Sequence, residues 1–254
     1  MATRLAIITG GGTGIGAALA RRLAEHCHVL IVGRRPGPLK ETRGLNPEKI
    51  RTVVADVSTP EGRAAVVGSV RHDETVPFLV HNAGSLGPVA PLAEVDPVSW
   101  RSTMAVNFDA PLFLTQAVLP KMPSGGGGRI LHVGSGAARS AYRGWGAYCA
   151  SKAGLHMMYR VLDLELAPRG VRVGSVRPGV VDTPMQDLVR DQDAGVFPDL
   201  PRFLDLKESG SLKDPVEVAQ FLDWILRGVG ADEFAAEEWD IYEERHQSRW
   251  SNFT

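Results

Sequence analysis

The segment GWGAYCASK, residues 144–152, holds residue types that a proton-transfer reaction needs. Tyr148 and Lys152 are four apart, so on a helix they share one face, a turn apart. A free tyrosine has a pKa of about 10, too high for easy proton exchange at neutral pH. A nearby ammonium favours the phenolate and brings that value toward the working range. Such a pair could be a proton donor and the cation that tunes it. The same spacing also fits a packed ring and a lysine whose stem snorkels to the surface.

A second cluster with chemical potential is TGGGTGIG, Thr9 to Gly16. It follows an apolar run and opens a helix-periodic one. Glycines there let the backbone turn sharply and approach a pyrophosphate, whose charge sits well at a helix N-terminus. In that reading Thr9, Gly10, Gly12, Thr13, Gly14, Ile15 and Gly16 form a dinucleotide cradle. The bland alternative is a turn that only packs helix on strand. Where an acid would bind the ribose 2′-hydroxyl of NAD, the chain reads Gly33-Arg34-Arg35. No carboxylate stands there to repel a 2′-phosphate, and a guanidinium is shaped to hold one, so the expected cofactor is NADP(H). Asp56 and Val57, after the third apolar run, would receive the adenine. Asn82, Ala83 and Gly84 would line the floor under its ribose.

Apolar runs of strand length must position these residues. They are 5–9, 29–32, 52–55, 77–80, 129–133 and 171–176, without polar alternation, as expected of strands buried on both faces. Helix-periodic segments lie between them at 14–26, 61–71, 97–121, 148–167 and 215–228, and a short final strand is expected around Glu238–Tyr242. The alternation predicts an α/β chain: a single-domain Rossmann fold, with a doubly wound parallel sheet flanked by helices on both faces. The glycine run 125–128 reads as a tight turn. Residues 183–214 read as one long irregular stretch, of the kind that forms a lid over a site.

The bulk numbers exclude several functions. The chain has 254 residues, 44% hydrophobic and 22% charged, as in ordinary soluble globular proteins. A net charge of -1 offers no basic field for nucleic acid or anionic lipid. No apolar run is long enough to span a bilayer, and the start, MATRLAIITGGG, is unlike a signal peptide. Two cysteines, Cys27 and Cys149, make no disulfide framework and fit a reducing, cytoplasmic setting. His26-Cys27-His28 lacks a further ligand in suitable spacing, so no metal is expected. Cys149 points away from its neighbour Tyr148 by about 100° of helical turn and reads as packing.

Six motifs stand in register: TGxxxGxG at 9–16, NAG at 82–84, Asn107, Ser135, YxxxK at 148–152 and Pro178-Gly179. In their order and spacing the chain resembles the short-chain dehydrogenase/reductase family over nearly its whole length. Its substrate-side segments are similar to the sepiapterin reductase and benzil reductase branch: NAGSLG, SGAARSAYRGWGAYCASKAG, RPGVVDTPMQ, ESGSL and EWDIYEE. The resemblance implies a tetrad. Tyr148 is the proton donor, and Lys152 its tuning cation and a partner of the nicotinamide ribose. Ser135 holds the carbonyl oxygen, and Asn107 holds a water that links the lysine to solvent. Ser140 competes with Ser135 for its role, and Asn107 could instead only bend its helix. Pro178, Gly179, Val181 and Thr183 would meet the nicotinamide; Arg177 before them has no evident role. Substrate contacts are expected from Ser135, Trp145, Tyr148, Met185 and Asp240. Trp145 is either an aromatic wall or core packing, and Asp240 either an anchor for a planar substrate or a solvated charge.

The implied activity is NADPH-dependent reduction of a small planar or aromatic ketone or diketone by a homo-dimer or homo-tetramer. The rivals are NAD-linked oxidation of a secondary alcohol and an NADP-binding regulator without turnover.

Overall fold

The computed structural model describes residues 2–123 and 125–253. Seven strands form one parallel sheet in the order β3-β2-β1-β4-β5-β6-β7. They are β1 (Thr3–Thr9), β2 (His28–Gly33), β3 (Ile50–Val54), β4 (Glu74–His81), β5 (Gly128–Val133), β6 (Val171–Arg177) and β7 (Trp239–Asp240). Strand geometry alternates side chains between faces. In β1, Ala6 and Ile8 therefore enter one core while Leu5 and Ile7 enter the other. Each fully buried Leu, Ile or Val contributes about 1.5–3 kcal/mol, which makes these six apolar runs the main fold-determining signal.

Helices cover both faces. On one lie α1 (Gly14–Leu23), α2 (Pro36–Gly44) and α9 (Pro215–Arg227), with Trp239 and Trp250 filling the core beside them. On the other lie α3 (Pro60–Gly68), α5 (Ala110–Val118) and α6 (Gly146–Leu166). In α6 the buried residues Tyr148, Lys152, Leu155, Tyr159, Leu162 and Leu166 recur at helical spacing, and the helix gives way at Pro168 and at Gly170, φ 74°. No helix among the described residues is long and apolar enough to cross a membrane.

Three expectations change. The segment expected as one helix over 97–121 is α4 (Pro97–Met104), a π turn over 105–109 and then α5. Residues 183–214 are not irregular: they carry α7 (Pro184–Arg190) and α8 (Leu200–Glu208). Both carry a proline in the first turn, Pro184 and Pro201, where its missing N–H costs nothing. Helices α2, α10 (Ala231–Ala236) and α11 (Glu244–Ser251) also went unanticipated, because their short lengths and dense polar residues carry little apolar period. The final strand forms, trimmed to Trp239–Asp240.

Candidate active site

The strand order reverses between β1 and β4, so a crevice opens at the C-terminal ends of the strands. At its first end, Thr9 Oγ1 accepts hydrogen bonds from the backbone N–H groups of Asn82 and Ala83, both at 3.0 Å. Asn82 Nδ2 donates to the carbonyls of Thr9 (2.9 Å) and Gly10 (3.1 Å). Thr9 and Asn82 thus brace the glycine turn from behind. Gly14 has φ 53°, and a Cβ there would stand 2.8 Å from Thr183 Cγ2. At Gly16 a Cβ would stand 2.3 Å from the Gly10 carbonyl oxygen, so a side chain is excluded. Ile15 packs on the core and offers only its backbone. Thr13, the N-cap of α1, makes no side-chain cap bond, and the first turn carries no acid. Its N–H groups and positive dipole end remain directed at any anion in the cleft.

That cleft, about 200 Å³, is lined by Gly10, Gly12 and Thr13, by Arg34 and Arg35, and by Asp56 and Val57. Arg34 is 71% exposed, with Nη1 4.0 Å from Asp56 Oδ2. Asp56 Oδ1 accepts from the Ser58 backbone (2.9 Å) and hydroxyl (2.6 Å). Burial pushes the Asp56 carboxyl up, but the Ser58 bonds and Arg34 together outweigh it and hold it below the usual value.

At the other end, Tyr148 and Lys152 face inward from α6, 8% and 5% exposed. The Lys152 ammonium donates to the Val133 carbonyl at 2.8 Å and lies 5.7 Å from the Tyr148 ring centroid. Burial brings the lysine down to about 8, against the opposing charge of Glu238. Burial also raises the Tyr148 phenol above its ordinary value, partly countered by a hydrogen bond with Ser135. The expected net lowering of Tyr148 by Lys152 is therefore not present here. Desolvation dominates, and the ammonium is turned onto a backbone carbonyl. Of the two candidate serines, Ser135 reaches Tyr148, while Ser140 is exposed.

Asn107 sits in the π turn, a helical irregularity frequent at functional sites. Its Oδ1 accepts from the Ser85 N–H, and its Nδ2 donates to the Ser85 carbonyl (both 2.8 Å) and to Ser151 Oγ at 3.0 Å. Ser85 was not singled out in the sequence. A Cβ built on Gly84 would lie 3.6 Å from Asn107 Oδ1 and 3.9 Å from both Lys152 Nζ and Met185 Cε. Residues from four segments meet there.

The substrate-side expectations divide. Trp145 is only 6% exposed and stacks on Phe197 with centroids 4.7 Å apart and planes 9° apart. It also meets Phe203 (5.2 Å) and the edge of Tyr148 (5.8 Å). Trp145 packs against Phe197 and Phe203 of the α7–α8 region while its ring also borders Tyr148. Asp240 Oδ2 is paired with Arg177 Nη2 at 2.9 Å, and Oδ1 accepts from the Tyr242 N–H at 3.1 Å. Its charge is compensated, and Arg177 acquires a role. The Tyr242 hydroxyl accepts from the Val180 N–H (3.3 Å) and abuts Gly179, so the C-terminal segment supports the Pro178-Gly179 turn. Val180 and Asp182 bond the Lys213 backbone on either side of buried Val181, and the Thr183 side chain makes no cap bond. His26 is exposed while Cys27 is buried with its thiol donating to the Leu23 carbonyl at 3.6 Å, so those residues do not converge. Cys149 packs beside the Trp145 cluster, as expected. Glu238 was missed; the one available signal was an acid at the start of an expected apolar strand.

A family profile described as short chain dehydrogenase matches residues 4–194. The chain belongs to this family. It is an oxidoreductase of a group that binds nicotinamide cofactors. It is 31% identical over 237 residues to the benzil reductase ((S)-benzoin forming) of Bacillus cereus, covering 88% of this chain and 94% of that protein. The crystal structure of the KRED1-Pglu enzyme superposes with a TM-score of 0.85 at 31% identity, over 93% of this chain and 100% of that one. L-sorbose reductase from Gluconobacter frateurii, complexed with NADPH and L-sorbose, gives 0.79 at 27% identity, over 95% of each chain.

Proposed function

We propose that this chain is an NADPH-dependent carbonyl reductase acting on a small planar or aromatic ketone or diketone. The observation that supports it most is the convergence of Asn107, Lys152 and Met185 at Gly84, one helix turn from the Ser135-bonded Tyr148. NADP(H), when bound, supplies the hydride. The residues fit it. The uncapped α1 N-terminus beside Gly12 and Thr13 suits a pyrophosphate, and a side chain at Gly12 would crowd Pro38 at 3.2 Å. Arg34 and Arg35 would hold the 2′-phosphate, Asp56 and Val57 the adenine, and Ala83 and Gly84 the ribose floor. Lys152, Pro178, Gly179, Val181 and Thr183 would hold the nicotinamide half.

Tyr148 donates its phenolic proton to the substrate oxygen, and Ser135 shares the negative charge that develops there. Burial raises the phenol above its ordinary value, the direction that keeps its proton available for donation. Asn107, braced on Ser85 and Ser151, positions the helix turn between tyrosine and lysine and holds the water that connects Lys152 to solvent. The outer face of α6 carries exposed Met157, Val161 and Leu164, an apolar strip suited to a homo-dimer or homo-tetramer.

Similarity to a benzil reductase supports a diketone, and the Arg177 pairing of Asp240 weighs against a pterin anchor. The test is consumption of NADPH, with NADH in parallel, against benzil and sepiapterin. Benzil turnover with NADPH supports the reading. Sepiapterin turnover lost on Asp240→Ala would move it to pterins. Faster NADH use would overturn the cofactor assignment, and cofactor binding without turnover of any ketone would make the chain a binding protein.

A further inference from the structure

Glu238 lies at the edge of the sheet with its side chain 1% exposed. An unpaired carboxylate is costly to bury, and this one gathers its partners from across the active site. Oε1 accepts from Ser175 Oγ at 2.9 Å and has His156 Nδ1 at 3.2 Å. Oε2 has Arg139 Nη2 at 3.0 Å and Arg177 Nε at 3.4 Å. The Arg139, His156 and Arg177 contacts are all ion-pair distances without hydrogen-bond alignment, and the Ser175 hydroxyl supplies the aligned bond.

The origin of each partner gives the cluster its meaning. Arg139 closes the short turn that Ser135 caps. His156 stands one turn beyond Lys152 on α6. Arg177 immediately precedes Pro178-Gly179 and carries Asp240 on its other nitrogen. Gly134, between Val133 and Ser135, comes so close that a Cβ there would be 3.0 Å from Glu238 Oε1. The Val133 carbonyl is the group that holds the Lys152 ammonium.

We propose that Glu238 is a positioning residue of the active site. It ties the Ser135 turn, the Tyr148–Lys152 helix and the Pro178 turn to one carboxylate and provides the counter-charge of the buried Lys152 ammonium. The inference rests on the catalytic reading of Tyr148 and Lys152 given above. The charged and titratable groups facing Lys152 are Glu238 from the residue just before β7, His132 from β5 and Tyr148 from its own helix. His132 is fully buried and brought down to about 3, so it stays neutral throughout the working range. Glu238 is faced by Arg139, Arg177, His156, Tyr159 and, more distantly, Lys152. Glu238 is therefore the acid that opposes the Lys152 ammonium, beside the Val133 carbonyl that accepts its hydrogen bond.

The test follows the Lys152 side-chain amine by NMR titration of full-length ¹⁵N-lysine protein, with Lys152→Arg for assignment. In Glu238→Gln the Lys152 midpoint is expected to fall by roughly one pH unit. In Arg139→Gln, a half-exposed site whose loss frees more of the Glu238 charge, it is expected to rise. In parallel, the alkaline limb of the kcat–pH profile for benzil reduction should move down in Glu238→Gln and up in Arg139→Gln. Glu238→Asp, which keeps the charge, should leave the limb near that of the unmodified protein. An unmoved Lys152 titration in both variants, or a loss of kcat equal at every pH, would reduce Glu238 to a structural ion pair. Failure of the unmodified protein to turn over any ketone would remove the reductase reading, and the NMR titration would still decide the role of Glu238.

Discussion

At the dinucleotide end of the cleft the Arg34 and Asp56 side chains are 71% and 37% exposed, whereas at the catalytic end Tyr148 and Lys152 are 8% and 5% exposed. In water a charge needs no partner, so the first end can assemble from residues adjacent in sequence at the ends of β2 and β3. In the low-dielectric interior each charge must be balanced, and the second end draws on β5, β6 and β7 to do it. The contrast teaches where the effect of a substitution should be large and where it should be slight.

The most severe break should come from Tyr148→Phe. Loss of the proton donor is expected to lower kcat roughly 10²- to 10⁴-fold while NADPH binding, read by fluorescence titration, is unchanged. For the unmodified protein the same end sets a pH limit. Lys152 loses its proton as pH rises through about 8, so kcat is expected to decline above that value, in a profile measured with saturating cofactor. Trp145→Ala should come next, because it opens a cavity among Phe197, Phe203 and Tyr148. About 3–5 kcal/mol of stability should be lost in urea unfolding, with a raised KM for the ketone as the α7–α8 segment loosens.

The exposed end should respond more gently and more selectively. Arg34→Ala with Arg35→Ala is expected to raise the KM for NADPH roughly tenfold and leave that for NADH unchanged, the signature of a lost 2′-phosphate contact. An equal effect on both cofactors would refute that assignment. Asp56→Asn should cost less than about 1 kcal/mol of stability by thermal unfolding, since its pair with Arg34 is long and solvated. A larger loss would erase the distinction between the two ends.

Much of this was legible before any coordinates. The six apolar runs became β1 to β6, and Tyr148 and Lys152 were placed on one helix face by spacing alone. The glycine turn was readable because its constraints are local: a sharp bend, and the close approach of α1 to β1. Helices α2, α7 and α8 were not, since their stability comes from docking on the body of the protein and not from a long apolar period. Trp145 was open between two readings because burial is a property of what lies across from it. The aromatic partners Phe197 and Phe203 are some fifty residues away in the chain.

The sequence by itself determined the parallel sheet, the glycine turn and the shared helix face of Tyr148 and Lys152, because period, glycine placement and i, i+4 spacing act over a few residues; Asn107 and Ser135 were named by the family resemblance. Tertiary structure alone decided which charges those groups face. Asp240 was committed to Arg177, Asn107 to Ser85, and Glu238 to the hub of Arg139, His156 and Arg177. Electrostatic balance depends on distance and burial, and the chain sets both only when its ends meet across the sheet.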